Sequence, residues 1–112
     1  LTHWVRDRKR GERLPLEAVV HAQTQRTAAL YGFRDRGVLA PGWRADANVI
    51  DYDRLRLHAP EMVFDLPAAS RRLVQRADGY VATVQRGRVT FEDGVPTGEL
   101  PGRLVRGGTL AP

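Results

Sequence analysis

The chain has 112 residues, 42% of them hydrophobic and 28% charged, with a net charge of +5. That size and balance fit one globular unit and exclude wholesale disorder. There is no cysteine, which excludes disulfides, thiolate metal sites, iron–sulfur clusters and cysteine nucleophiles together.

Leu1, Trp4, Val5 and the stem of Arg8 fall at i, i+3, i+4 and i+7. This spacing predicts a helix from Leu1 to Arg10, stopped by Gly11. Pro15 suits the first turn of a second helix, on which Leu16, Val19, Val20 and Gln23 share a face. Thr24 reads as a break and as the N-cap of a third short helix, its hydroxyl accepting a free backbone N–H. Thr27, Ala28, Leu30 and Tyr31 carry that helix, and Gly32 is placed as its stop.

The texture changes at Gly37. Ala40-Pro41-Gly42 predicts a turn, and residues 45–52 a strand flanked by acids. Residues 53–70 hold Pro60 and Pro67 and predict irregular chain, with a short extended piece at 62–64. Residues 71–75 predict a further strand. The clearest hairpin joins 80–85 to 88–92, turning near Arg86-Gly87, with Val81 or Val84 and Val89 or Phe91 facing the core. Asp93-Gly94 closes the second strand, and 95–112 predicts an extended tail. Helices come first and strands second, without βαβ alternation, so the class is α+β.

Chemistry is sparse. Arg6, Arg8, Lys9, Arg10 and Arg13 form the densest basic run. It reads as a phosphate-binding face or as the solvated side of a helix; Asp7 and Glu12 interrupt it, and the solvated reading is preferred, with no nucleic acid as partner. His3, His21 and His58 are far apart, with no His-x-His and no HExxH. Ser70 is the only serine and lacks the Gly-x-Ser-x-Gly elbow. Asp51 with Asp53, and Glu92 with Asp93, are the carboxylate pairs; turn hydrogen bonding is preferred for them over acid–base work. No catalytic or metal-ligating residue is assigned, and substrate-binding residues remain unknown. No apolar run approaches the ~20 residues of a membrane span, so no membrane partner is expected. Leu1 opens the chain and no charged–apolar–cleavage pattern follows. The expectation is a cytoplasmic chain without a signal peptide, cut from something longer.

Gly37-Val38-Leu39-Ala40-Pro41-Gly42-Trp43-Arg44-Ala45-Asp46 resembles the G-x-L-x-x-G-x-x-A-D stretch near the C-terminus of amidohydrolases. Residues 18–30 resemble the helix pair that precedes it, with Thr27 where the family usually has proline. Residues 54–63, 65–68 and 72–80, and the ending from Gly98 to Gly107, are similar to the N-acyl-D-amino-acid deacylase branch. The resemblance implies that 1–36 are the terminal helices of a (β/α)8 metal-dependent hydrolase barrel. It implies that 37–112 are the C-terminal part of a small β-sandwich domain plus a tail. It further implies a bacterial enzyme that hydrolyses the amide of N-acyl-D-amino acids with zinc bound outside this segment. The family's zinc-binding histidines and proton-shuttling aspartate match no position here, and Lys9 matches no metal-bridging lysine. The implied partners are the upstream barrel and N-terminal strands of the same protein, and the small-molecule substrate. The alternatives are a segment of another cyclic-amide amidohydrolase, or a basic module binding nucleic acid or protein.

Overall fold

A computed structural model describes residues 1–105. A single π-helical turn, Thr2–Asp7, opens the chain and gives way at Arg8 to extended backbone. The helix predicted to reach Arg10 therefore stops early. Its first turn holds no acid and no side chain caps it. Continuing it would also set Arg6 against Lys9 and Arg10, a like-charge contact. Gly11 is not a helix stop: it lies in the return that brings the Leu14 N–H to the Trp4 carbonyl at 3.0 Å.

The two helices that follow are α1, Leu16–Gln23, and α2, Gln25–Leu30. Pro15 is the residue before α1, where a missing N–H costs nothing. Thr24 does break the helices, but its hydroxyl does not cap α2. The residue adopts φ −116°, ψ −90°, which turns the hydroxyl back to donate to the Val20 carbonyl at 2.8 Å. Thr27 is accommodated within α2, donating to the Ala22 carbonyl at 2.7 Å. The end of α2 is as expected: Gly32 N–H bonds the Ala29 carbonyl (3.0 Å) and Phe33 N–H the Ala28 carbonyl (2.9 Å), the paired bonds of a Schellman stop.

Eight strands follow among the described residues: β1 Ala47–Ile50, β2 Arg56–Leu57, β3 Glu61–Leu66, β4 Ser70–Val74, β5 Ala77–Asp78, β6 Tyr80–Gln85, β7 Arg88–Glu92 and β8 Val95–Pro96. They form a four-stranded sheet in the order β1-β6-β7-β8 and two ribbons, β2-β5 and β3-β4. All pairings are antiparallel. The hairpin of β6 and β7 turns where predicted: Gln85 pairs with Arg88 across Arg86-Gly87, both at positive φ. That is the two-residue turn whose twist matches its strands. Asp93-Gly94 repeats the device and sends the chain back as β8, where only a tail was expected. Residues 97–105 continue without a further strand, and the end of that expected tail, 106–112, lies outside the described residues.

Residues 53–70 are the main correction. They are not irregular but supply β2, β3 and a 3-10 turn, Pro67–Ala69. Pro60 and Pro67 fall in the link before β3 and in the turn after it, so neither removes a ladder N–H. The core assignment on the hairpin also changes. Thr90 is the buried residue of β7, its hydroxyl donating to the Thr83 carbonyl at 3.1 Å, while Val81, Val89 and Phe91 stay exposed and Val84 is half-buried.

Burial is thin throughout. Val19, Ala28 and Leu55 are the buried hydrophobics among the described residues. The radius of gyration is 16.4 Å, against about 13 Å for a compact domain of this length. Most large apolar side chains face outward because the chain's own layers do not reach over them.

Candidate functional site

The residues singled out for chemistry do not converge. His3 sits in the opening turn, its ring perpendicular to that of Trp4 with centroids 5.1 Å apart. His21 is exposed on α1. His58 follows β2 and bonds Asp78 through Nε2 at 2.8 Å, with Arg56 on the same carboxylate at 3.1 Å. The hydrogen bond from His58, then the nearby positive charges, hold the Asp78 carboxyl below its usual range. Ser70 opens β4, exposed and opposite Leu66. Asp51 Oδ1 accepts the Arg54 N–H at 3.2 Å, a turn hydrogen bond of the kind preferred from sequence. Glu92 and Asp93 are exposed at the second hairpin turn. Among the described residues, no group of three His, Asp or Glu side chains is placed to hold a metal ion. The residues described do not fit the metal that the amidohydrolase resemblance implies.

The basic run is not one face. Arg6 turns inward and donates to the carbonyls of Tyr52 and Leu55, each at 2.7 Å, with its guanidinium 5.5 Å above the Tyr52 ring. Arg8 instead stacks over Trp4 at 4.8 Å. Arg6 therefore ties the opening turn to the loop after β1.

Sequence reasoning missed one built constellation, around Asp46. Its Oδ1 accepts the Arg86 N–H at 2.8 Å, and its Oδ2 lies 3.0 Å from Arg44 Nε. Next to it, the Ala45 carbonyl accepts the Gly87 N–H at 2.9 Å. Arg44 N–H in turn donates to the Asp35 carbonyl at 2.8 Å, and Asp35 takes a two-pronged bond from Arg36 at 2.8 and 3.0 Å. Arg36 lies 4.6 Å over the Phe33 ring. The segment 33–46 is thus a bracket joining the end of α2 to the β6–β7 turn. The signal was present in the Ala45-Asp46 pair, but it pointed to a family and not to a hydrogen-bond role.

A cleft of about 510 Å³ lies between α1 and the sheet, lined by Val20, Gln23, Ala47, Ile50, Tyr80 and Val84 among others. Asp46 is its one carboxylate, and the bracket already engages it.

The class of the chain is shown by comparison. The chain belongs to the amidohydrolase family, whose model matches residues 1–91. The "Adenine deaminase 1" of Rhizobium etli is 41% identical over 83 residues, covering 74% of this chain and 13% of that protein. The protein of the same description from Agrobacterium fabrum is 33% identical, covering 79% of this chain and 17% of its own length. The "N-acyl-D-aspartate deacylase" of Alcaligenes xylosoxydans xylosoxydans is 34% identical over 113 residues, covering 99% of this chain and 21% of that protein. The chain thus spans about a fifth or less of the length of these relatives. No solved structure matches. Among the described residues, no helix is long and apolar enough to cross a membrane.

Proposed function

We propose that this chain is the C-terminal structural part of a metal-dependent hydrolase that cleaves the amide of N-acyl-D-amino acids, giving a D-amino acid and a carboxylic acid. One observation carries the choice of substrate class. The likeness to the N-acyl-D-aspartate deacylase runs over 99% of the chain, whereas the likeness to the adenine deaminases covers 74–79%. In this reading residues 1–36 close the hydrolase barrel and the strands of 37–112 belong to a small β-domain beside it. The activating zinc and its ligands belong to the rest of the cytoplasmic enzyme; bound there, the metal would polarise the scissile carbonyl and activate water. This chain's residues act on the chemistry only by holding the domains together, through the Asp46 bracket and the Arg6 tie.

A second reading, deamination of a purine, is favoured by the 41% identity to the Rhizobium etli protein. The full coding frame containing residues 1–112 is expressed and offered N-acetyl-D-amino acids, their L-enantiomers and adenine. Metal-dependent release of D-amino acid is expected. Ammonia from adenine without deacylation overturns the proposal in favour of the second reading. The isolated 112-residue chain is expected to be silent on all three, and to self-associate on size exclusion; tightly bound stoichiometric zinc with deacylation would refute the structural role.

A further inference from the structure

A second cavity, of about 400 Å³, lies at the turn end of the β6–β7 hairpin, lined by Arg86, Arg88, Glu99 and the stretch 100–103. It shares no lining residue with the cleft beside α1. Three segments of the chain bring its arginines together, and each is fixed by bonds of its own. Arg86 occupies the two-residue turn at φ 52°, with its N–H held by Asp46 Oδ1 at 2.8 Å. Arg88 opens β7, and its Nη1 donates to Glu99 Oε2 at 2.9 Å. Arg103 arrives by the return of the chain after β8. There Thr97 donates its N–H to the Thr90 carbonyl at 3.0 Å and its hydroxyl to the Val89 carbonyl at 2.7 Å, and Gly98 turns the backbone at φ +91°. Gly102 then passes Gln85, whose Oε1 lies 3.5 Å from where a Cβ on that glycine would stand.

Three guanidiniums against one carboxylate leave the lining with two positive charges in excess. Glu99 answers Arg88, but among the described residues the side chains of Arg86 and Arg103 have no acidic partner. Elsewhere the chain pairs its arginines with acids: Arg36 with Asp35, Arg72 with Asp65 and Arg76 with Glu61. We propose that this cavity binds the phosphate group of a small molecule. A phosphate monoester carries close to two negative charges at neutral pH, which matches the excess, and offers three strong acceptor oxygens. A single carboxylate offers half that charge and two oxygens. The guanidinium fork fits phosphate oxygens two at a time. The cavity also has room beyond the phosphate, in the volume range of small-molecule sites. This binding does not depend on which bond the whole enzyme cleaves.

The test is calorimetric titration of the full-length product of the coding frame, at constant ionic strength, with inorganic phosphate, glycerol 3-phosphate and succinate. Saturable binding of both phosphates is expected, and weaker binding of succinate. Arg86→Ala and Arg103→Ala should each weaken phosphate at least about tenfold, the loss of one charge-assisted hydrogen bond. Arg103→Lys, which keeps the charge without the fork, should fall between. Glu99→Gln adds to the positive excess and should tighten phosphate about threefold; such a gain cannot come from misfolding. Arg71→Ala is the control. It removes an equal charge from exposed β4, on the two-stranded arm at 56–78, and should change the affinity less than about twofold. No saturable binding of either phosphate up to about 10 mM would overturn the proposal. So would phosphate affinity unchanged in Arg86→Ala and Arg103→Ala, which places the anion elsewhere in the enzyme, or weaker binding in Glu99→Gln. Equal weakening in Arg71→Ala and Arg103→Ala would show diffuse charge in place of a site. Succinate binding as tightly as phosphate would overturn the choice of ligand.

Discussion

Gly79 is the position where the fold leaves least room. It precedes β6 at φ +90°, a conformation that side-chain-bearing residues rarely adopt, and its carbonyl accepts the Asp51 N–H at 2.8 Å. A methyl group there would stand 2.8 Å from the Asp51 carbonyl oxygen and from the Leu55 N and Cα. All three are backbone atoms, so no side chain can swing aside. Leu55 is among the few buried residues, and the β1–β2 connection would have to move as a unit. Backbone strain of about 1–3 kcal/mol and overpacking of about 1–3 kcal/mol put Gly79→Ala at about 2–6 kcal/mol in total. Gly87 is the internal comparison. It has similar φ, +76°, but a Cβ there meets nothing within 4 Å, so Gly87→Ala carries only the left-handed penalty of about 1–2 kcal/mol. Urea unfolding of the full-length protein, with hydrogen exchange at the Asp51 amide, measures both. A Gly79→Ala cost below about 1 kcal/mol, or equal costs at the two sites, would show that close approach is not what holds glycine at 79.

Asp46→Ala is expected to lose about 1–2 kcal/mol by leaving the Arg86 N–H without its acceptor and removing the charge beside Arg44, with faster exchange at the Arg86 amide; Asp46→Asn, which keeps one acceptor oxygen, should recover part of it. Asp65 titrates below the ordinary aspartate range because it accepts hydrogen bonds from Arg72, and Asp78 does so because it bonds His58. A carboxyl depressed in the folded state binds its proton less readily there than when unfolded. Its contribution is therefore present above about pH 4 and is lost as pH falls through the folded value. Carbon-13 titration of the Asp65 carboxyl should show the depressed value and Arg72→Ala should restore it; an unchanged midpoint would show that the pair does not form in solution.

How far the sequence reached depended on whether a signal was local. The Arg86-Gly87 turn and the stop at Gly32 were legible because each is fixed by a few adjacent residues and a backbone preference. The arm at 56–78 was missed because prolines read as breakers when their strand neighbours are unknown; Pro60 and Pro67 punctuate the arm without interrupting its ladder. Thr24 was assigned the right place and the wrong bond, since a hydroxyl at a helix junction can serve either helix and the junction's dihedrals decide. The inward faces of β6 and β7 were misjudged for a different reason. Alternation says which residues share a side, but burial needs a second layer, and Phe91 and Val89 have none among the described residues.

The stretch that resembles the amidohydrolase pattern near Asp46 binds itself. Arg36 bonds Asp35, the Arg44 N–H bonds the Asp35 carbonyl while its side chain pairs in charge with Asp46, and Asp46 accepts the Arg86 N–H of the β6–β7 turn. Asp46 lines the cleft beside α1, but its Oδ1 is already taken by the Arg86 N–H. A sequence signature made of such bonds is constrained by geometry: Asp46 must reach the Arg86 N–H while Ala45 meets that of Gly87, which fixes residue type and spacing independently of what the enzyme hydrolyses. Likeness across these residues can therefore be common to proteins described as a deaminase and as a deacylase, which act on different bonds. The discriminating likeness has to come from where the chain is free to differ. The arm at 56–78 lies outside that bracket, with Asp65 and Glu61 bonded by Arg72 and Arg76 and with Met62, Phe64 and Leu73 exposed.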